Sequence, residues 1–273
     1  MNYHSDEWIM NNVKEHYSEI SKIYNPKHIV GVFLQGSQNY GLDYEGSDID
    51  TKCIITPTFR DISLAGKPVS TTHVRANNEH TDVKDIRLYV QTFRKQNLNF
   101  LEILFTKYLL IPNDDFYNQW KRLVDRREDI AHYNMRVNVK AMMGVASEKY
   151  FAMEHEYPSR MEWISKFGYD PKQLHHLIRV KEFINRYIAG DSYENCMVSK
   201  DSDFLKAVKV GYYNLDEARV LKEKVYGEIK EACDTFCSLH GDLQSNAEID
   251  ELLDDVSYEI MKLSVKNDFN MEE

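Results

Sequence analysis

No stretch of this chain approaches the roughly 18 consecutive apolar residues that a membrane-spanning helix requires, so no membrane partner is expected. Cysteine is scarce. The four, Cys53, Cys196, Cys233 and Cys237, are irregularly spaced, which excludes a disulfide framework and fits a reducing cytoplasm. The opening "MNYHSDEWIMNNVKEHYSEI" lacks a basic segment followed by an apolar one, so no secretory leader is expected. Excess positive charge is also lacking. The 34 Lys and Arg are outnumbered by 44 Asp and Glu, for a net charge of -10. Overall charge therefore does not make this a protein that coats nucleic acid, although a local basic groove is compatible with it. Internal repeats and low-complexity linkers are missing as well. What remains is ordinary: 273 residues, 42% of them hydrophobic, enough for one large core or two modest ones.

The pattern divides the chain. Ile9, Val13, Tyr17, Ile20 and Tyr24 form a helical stripe behind Ser5, a capping residue, and Asn25-Pro26 stops it. "HIVGVFLQ" and "IDTKCIIT" read as two buried strands. Residues 57–79 are polar and irregular, a long loop or hairpin, and "HTDVK" is a short third strand. Asp85 stands as the N-cap of a helix carrying Ile86, Val90 and Phe93. "NFLEILFTKYLL" reads as an apolar helix ended by Pro112, and helix then follows helix over 114–128, 130–156, 171–189, 200–210 and 214–240. The tail, 246–264, is acidic and weakly periodic. The expected fold is therefore α+β: residues 1–112 build a mixed sheet flanked by helices, and residues 113–273 a helical domain. Cys233, Cys237 and His240 share one helical face. A metal site needs a fourth ligand, so the reading adopted is buried packing.

The informative stretch is "GVFLQGSQNYGLDYEGSDIDTKCIIT". Side chains two apart on a strand point to one face, so Asp48 and Asp50 aim at a common spot. Two carboxylates that close repel unless a cation joins them. Oxygen ligands suit magnesium, with manganese as the alternative, and magnesium takes one or two carboxylates plus substrate phosphates. Gly36-Ser37, about ten residues earlier, ends the preceding strand and offers backbone approach and a hydroxyl to a phosphate.

Gly-Ser followed after about ten residues by Asp-x-Asp resembles the nucleotidyltransferase superfamily of DNA polymerase beta. "FGYDPKQLHHLIRVKEFINRYIAG", "GYYNLDEARVL" and "QNLNFLEILFTKYLLI" are similar to a bacterial and phage group within it, the predicted nucleotidyltransferases of the RNA-repair-pathway polymerase-beta family. The resemblance covers about residues 28–225. It implies transfer of a nucleoside monophosphate from an NTP such as ATP to an acceptor: an RNA end, a protein hydroxyl or a small molecule. It implies that Asp48, Asp50 and a third carboxylate hold two metals, and that Gly36 and Ser37 hold the outer phosphates.

On the helix starting near Pro171, Lys172, His176 and Arg179 fall on one face, a cationic stripe suited to the triphosphate in a helical half that closes over the nucleotide or acceptor. Asp82 and Asp85 compete to be the third carboxylate. Three residues apart, they cannot face the same way from one strand. Asp85 has a capping role, so Asp82 is preferred, with little structural work expected of it. A second class of function, a non-catalytic binding or antitoxin-type module on the same fold, is disfavoured because such a module has no need of two repelling carboxylates.

Overall fold

The chain, seen in a computed structural model that describes residues 2–269, divides into two compact units. One holds the residues up to Asn39, then Asp43–Tyr133, and those from Ser245 onward; the other holds Tyr40–Leu42 and Asn134–Gln244.

The first unit opens with α1 (Asp6–Ile20), whose N-terminus is closed by the Ser5 side chain accepting the Trp8 N–H. The helix stops at Ile20, so Tyr24 lies beyond it. Next come β1 (Ile29–Gln35), β2 (Asp50–Ile55), the short α2 (Phe59–Ser63), β3 (Ser70–Val74) and β4 (His80–Asp85). Then follow α3 (Ile86–Arg94), α4 (Leu98–Leu101), β5 (Leu109–Leu110), α5 (Asp114–Asp125) and α6 (Arg127–Ala131). The strands form one mixed sheet in the order β3-β4-β2-β1-β5. Only β2 and β4 run parallel; the other three pairings are antiparallel. The polar 57–79 stretch thus contains a helical turn and one arm of a hairpin.

Alternation across the sheet sets two environments. Val32, Leu34, Cys53, Ile55 and Val83 pack with Ile9, Val13 and Ile20 of α1 in a buried cluster. The opposite face carries Phe33, whose ring lies 4.3 Å from that of Trp120 in α5.

The apolar run near residue 100 departs from the expected helix. After α4 and a single tight turn, Glu102–Leu104, the chain extends and Leu109–Leu110 pair with Phe33 and Val32 of β1. A short, mostly apolar run carries too little periodicity to separate helix from strand. The open edge of β1 settled it, because its backbone groups had to be paired.

The second unit is helical: α7 (Met135–Ala152), α8 (Met161–Phe167), α9 (Pro171–Ile188), α10 (Tyr193–Met197), α11 (Ser202–Lys209) and α12 (Leu215–Leu239). Helices α7, α9 and α12 pack on one another, with α11 against α9. Cys233 is buried in α12 with its thiol toward the Val139 carbonyl, 3.9 Å away, in keeping with the packing role.

The tail, which read as weakly periodic, is the long helix α13 (Ala247–Phe269), with Ile249, Leu253, Val256, Ile260 and Ser264 buried on one stripe. It belongs to the sheet unit, as do α5 and α6, so the division expected at residue 112 does not match the compact units. Ion pairs give the reason. Arg94 of α3 donates to Asp250 and Asp254, each at 2.7 Å. His28 Nε2 donates to Asp268 at 2.8 Å, and Ser264 Oγ lies 2.8 Å from both Thr56 Oγ1 and the Pro57 carbonyl. Among the described residues no helix is long and apolar enough to cross a membrane.

Candidate active site

The register of β1 and β2 sets Gln35 opposite Asp50. Gly36-Ser37, which follow Gln35, and Asp48, which precedes Asp50, therefore leave the sheet at the same end. Gly36 has φ +111, a backbone state that only glycine adopts without strain. A Cβ there would meet only Gln38 Oε1, at 3.9 Å, so the constraint is conformational rather than steric. Ser37 begins a tight turn through Tyr40.

Asp48 is exposed and Asp50 partly buried. Burial, then the charge of Asp48, pushes the Asp50 carboxyl above the ordinary range, against hydrogen bonds from His80. The Asp48 charge thus acts on Asp50, although β2 begins at Asp50 and Asp48 lies just outside the strand. The His80 backbone N–H donates to Asp50 Oδ1 at 2.9 Å, and its ring Nδ1 lies 3.2 Å from the same oxygen.

Asp82 does more structural work than expected. The parallel register places it opposite Lys52, two positions along from the His80 that faces Asp50. Lys52 Nζ donates to Asp82 Oδ2 at 2.9 Å, and Thr72 Oγ1 donates to Oδ1 at 2.6 Å. Burial alone would raise the Asp82 pKa, but the Lys52 charge and these hydrogen bonds hold it below the usual carboxylate range. Lys52 is only 2% exposed and lies 4.2 Å over the Phe100 ring. Asp82 therefore does the structural work of neutralising a buried ammonium. Among the described residues no three His, Cys, Asp or Glu side chains are gathered to hold a metal ion.

Gly36 has a partner of its own. Its N–H, a candidate phosphate donor, instead donates to the buried Glu102 carboxylate at 3.1 Å. Asp85 does cap α3: its carboxylate accepts the Arg87 N–H at 2.9 Å and pairs with the Arg87 guanidinium. Asp85→Ala should cost about 1 kcal/mol through the lost cap, while Asp85→Asn keeps most of it. Urea melts of the two variants check this, and an Ala variant as stable as wild type would dismiss the cap.

In the second unit, Asp170 caps α9, accepting the Lys172 N–H at 3.0 Å and a two-pronged contact from Arg160. Lys172, His176 and Arg179 are each half-buried. The Arg179 guanidinium lies 3.9 Å over the Tyr40 ring, so it is engaged in packing. Burial first, then the charges of neighbouring His175, Arg179 and Lys172, push His176 well below the ordinary imidazole range. His176 is thus neutral near pH 7, and the stripe carries two cations rather than three.

Next to it, His175 is buried and its Nδ1 donates to the Leu205 carbonyl at 2.8 Å. Burial pushes its pKa down from 6.5 to about 3. The folded state keeps this ring neutral, so its contribution to stability is present above pH 6.5 and is lost as pH falls toward 3. Wild type should lose a few kcal/mol of stability over that window. His175→Gln, which can still donate to Leu205, should lose less. Denaturant melts across the window test it, and parallel pH curves for the two proteins would contradict it.

Four residues at the site carry no signal in the sequence pattern. His80 and Lys52 are set beside Asp50 and Asp82 by strand register alone. Gln38 and Glu79 reach the Asp48–Asp50 segment through a turn and a hairpin. Compared with known proteins, the sequence matches no family model and no curated protein.

Proposed function

We propose that the chain is a nucleotidyltransferase of the DNA polymerase beta type, moving a nucleoside monophosphate from an NTP to an acceptor hydroxyl. One observation carries this reading: β1 and β2 bring Gly36-Ser37 to the same sheet end as Asp48 and Asp50, where the Asp48 charge acts on Asp50. Such a pair suits a divalent cation, and magnesium bound by two carboxylates keeps positions for water and phosphate oxygen. Asp48 and Asp50 would hold it. Asp82, held by Lys52 and Thr72, keeps a further lone pair on each oxygen with which it could join a second metal.

In the proposed reaction an acceptor oxygen attacks the α-phosphorus in line. The new P–O bond forms as the bond to the β-phosphate oxygen breaks, pyrophosphate leaves, and the acceptor proton passes to solvent. The cation, when bound, would neutralise charge on the reacting phosphate oxygens. Asp48 and Asp50 place that charge, the His80 N–H orients Asp50, and Ser37 offers its hydroxyl to the outer phosphates. The test is incubation with each labelled NTP, magnesium and a bacterial RNA or protein pool. Label transfer that depends on Asp50 supports the reading; tight capture of a protein with no transfer to any acceptor overturns it.

A further inference from the structure

Of the two peptides between the carboxylate residues, the first, Asp48–Ile49, is gripped at both ends. Its carbonyl, that of Asp48, accepts from Gln38 Nε2 at 2.9 Å. Its N–H, that of Ile49, donates to Glu79 Oε1 at 3.2 Å. The two groups of a trans peptide point in opposite directions, so the grips act from opposite sides and together fix the plane.

Both grips are braced. Gln38 and Glu79 are 3% and 6% exposed. The Gln38 carbonyl accepts from Asn2 Nδ2 at 2.9 Å. The Gln38 amide cannot turn over, because that would set its oxygen against the Asp48 carbonyl; its Oε1 is left buried without a partner. A buried orphan acceptor is uncommon, and here it accompanies a donor aimed at Asp48. Glu79 Oε2 accepts from Arg75 Nη1 at 2.5 Å and lies 3.2 Å from His16 Nε2. Arg75 also pairs with Glu15 and Glu19 of α1, while His16 Nδ1 lies 2.9 and 2.8 Å from the Thr51 and Thr81 hydroxyls. The carboxylate grip is thus anchored to α1 and both central strands.

We propose that Gln38 and Glu79 are positioning residues that clamp the Asp48–Ile49 peptide and so fix the angle between the Asp48 and Asp50 carboxylates. Neither touches substrate. Their consequence for a cation rests on the function proposed above; the clamp itself does not.

Two measurements test it. In cation-free protein, the Ile49 amide should be protected from hydrogen exchange in wild type and in Glu79→Gln, which keeps an acceptor. It should exchange at least about tenfold faster in Glu79→Met. In a titration with Mn²⁺ as probe, Gln38→Met and Glu79→Met should bind about 10–100-fold more weakly than wild type, as loss of groups that orient metal ligands does, with Glu79→Gln close to wild type. Should Glu79→Met fail to fold, Gln38→Met and the wild-type exchange rate carry the test. An unprotected Ile49 amide in wild type overturns the clamp, and unchanged Mn²⁺ affinity in the Met variants overturns the positioning role. A protected Ile49 in a wild type that binds no Mn²⁺ upholds the clamp and overturns the cation reading instead.

Discussion

Asp50→Asn is expected to lower label transfer from NTP by about 10³-fold or more, the scale on which removing one preorganised group acts, while the chain stays folded and melts slightly higher than wild type in cation-free buffer at neutral pH. The two effects share a cause. Burial and the Asp48 charge raise the Asp50 pKa, so the folded state disfavours the ionised form. The stability that this group lends is therefore present at low pH and is lost as pH rises through its raised pKa. Wild type at neutral pH carries that cost and the Asn variant does not, yet Asn still accepts the His80 N–H. The difference in melting temperature should accordingly vanish on acidification, where wild-type Asp50 takes up its proton. Melts in chelator across pH, beside transfer assays, read both. Full transfer by Asp50→Asn would end the nucleotidyltransferase reading, and a lower neutral melting temperature would contradict the charge repulsion.

The second large effect concerns Lys52 and Asp82. Removing Asp82 leaves an ammonium that is 2% exposed without its carboxylate. Breaking a fully buried pair costs about 3–5 kcal/mol, and the partial exposure of Asp82 puts Asp82→Ala below that range, about 2–3 kcal/mol. Asp82→Asn should cost less, since it retains an acceptor for Thr72. The double variant Lys52→Met, Asp82→Leu should regain most of the loss, because an apolar pair against Phe100 leaves no charge to desolvate. A double-mutant cycle by urea melts measures the coupling. Additive losses would mean that the pair does not act as a unit. The cycle also separates the roles of Asp82: a stable, folded Asp82→Asn without turnover would return it to the chemistry.

Much of this was legible in the sequence, for local reasons. Ser5 and Asp85 are caps because a short polar side chain before a helical stripe satisfies N–H groups that the helix cannot. The two strands framing Gly36-Ser37 and Asp48–Asp50 follow from β-branched and apolar content between turn residues. The nearness of Asp48 to Asp50 follows from their being two residues apart in the chain, although β2 starts only at Asp50 and leaves Asp48 outside the strand.

Asp82 marks the limit. Its strand was legible, but its partner was not. A parallel pairing between β2 and β4 chose Lys52, and shifting that register by two residues would have put Asp50 opposite Asp82 instead. The Gly36 N–H went to Glu102, 66 residues away, a contact that no local pattern encodes. The run after Asn97 begins as the helical turns of residues 98–104, and its end, Leu109–Leu110, became a strand on the edge of β1. The acidic tail became a buried helix because Arg94, His28 and Thr56 waited for it on the sheet unit. What the sequence determined by itself was local: caps, periods, and the closeness of two carboxylates. Which charge neutralises which, and where an apolar run or an acidic tail is buried, was decided only by tertiary structure, because those energies depend on groups brought together by the fold from distant parts of the chain.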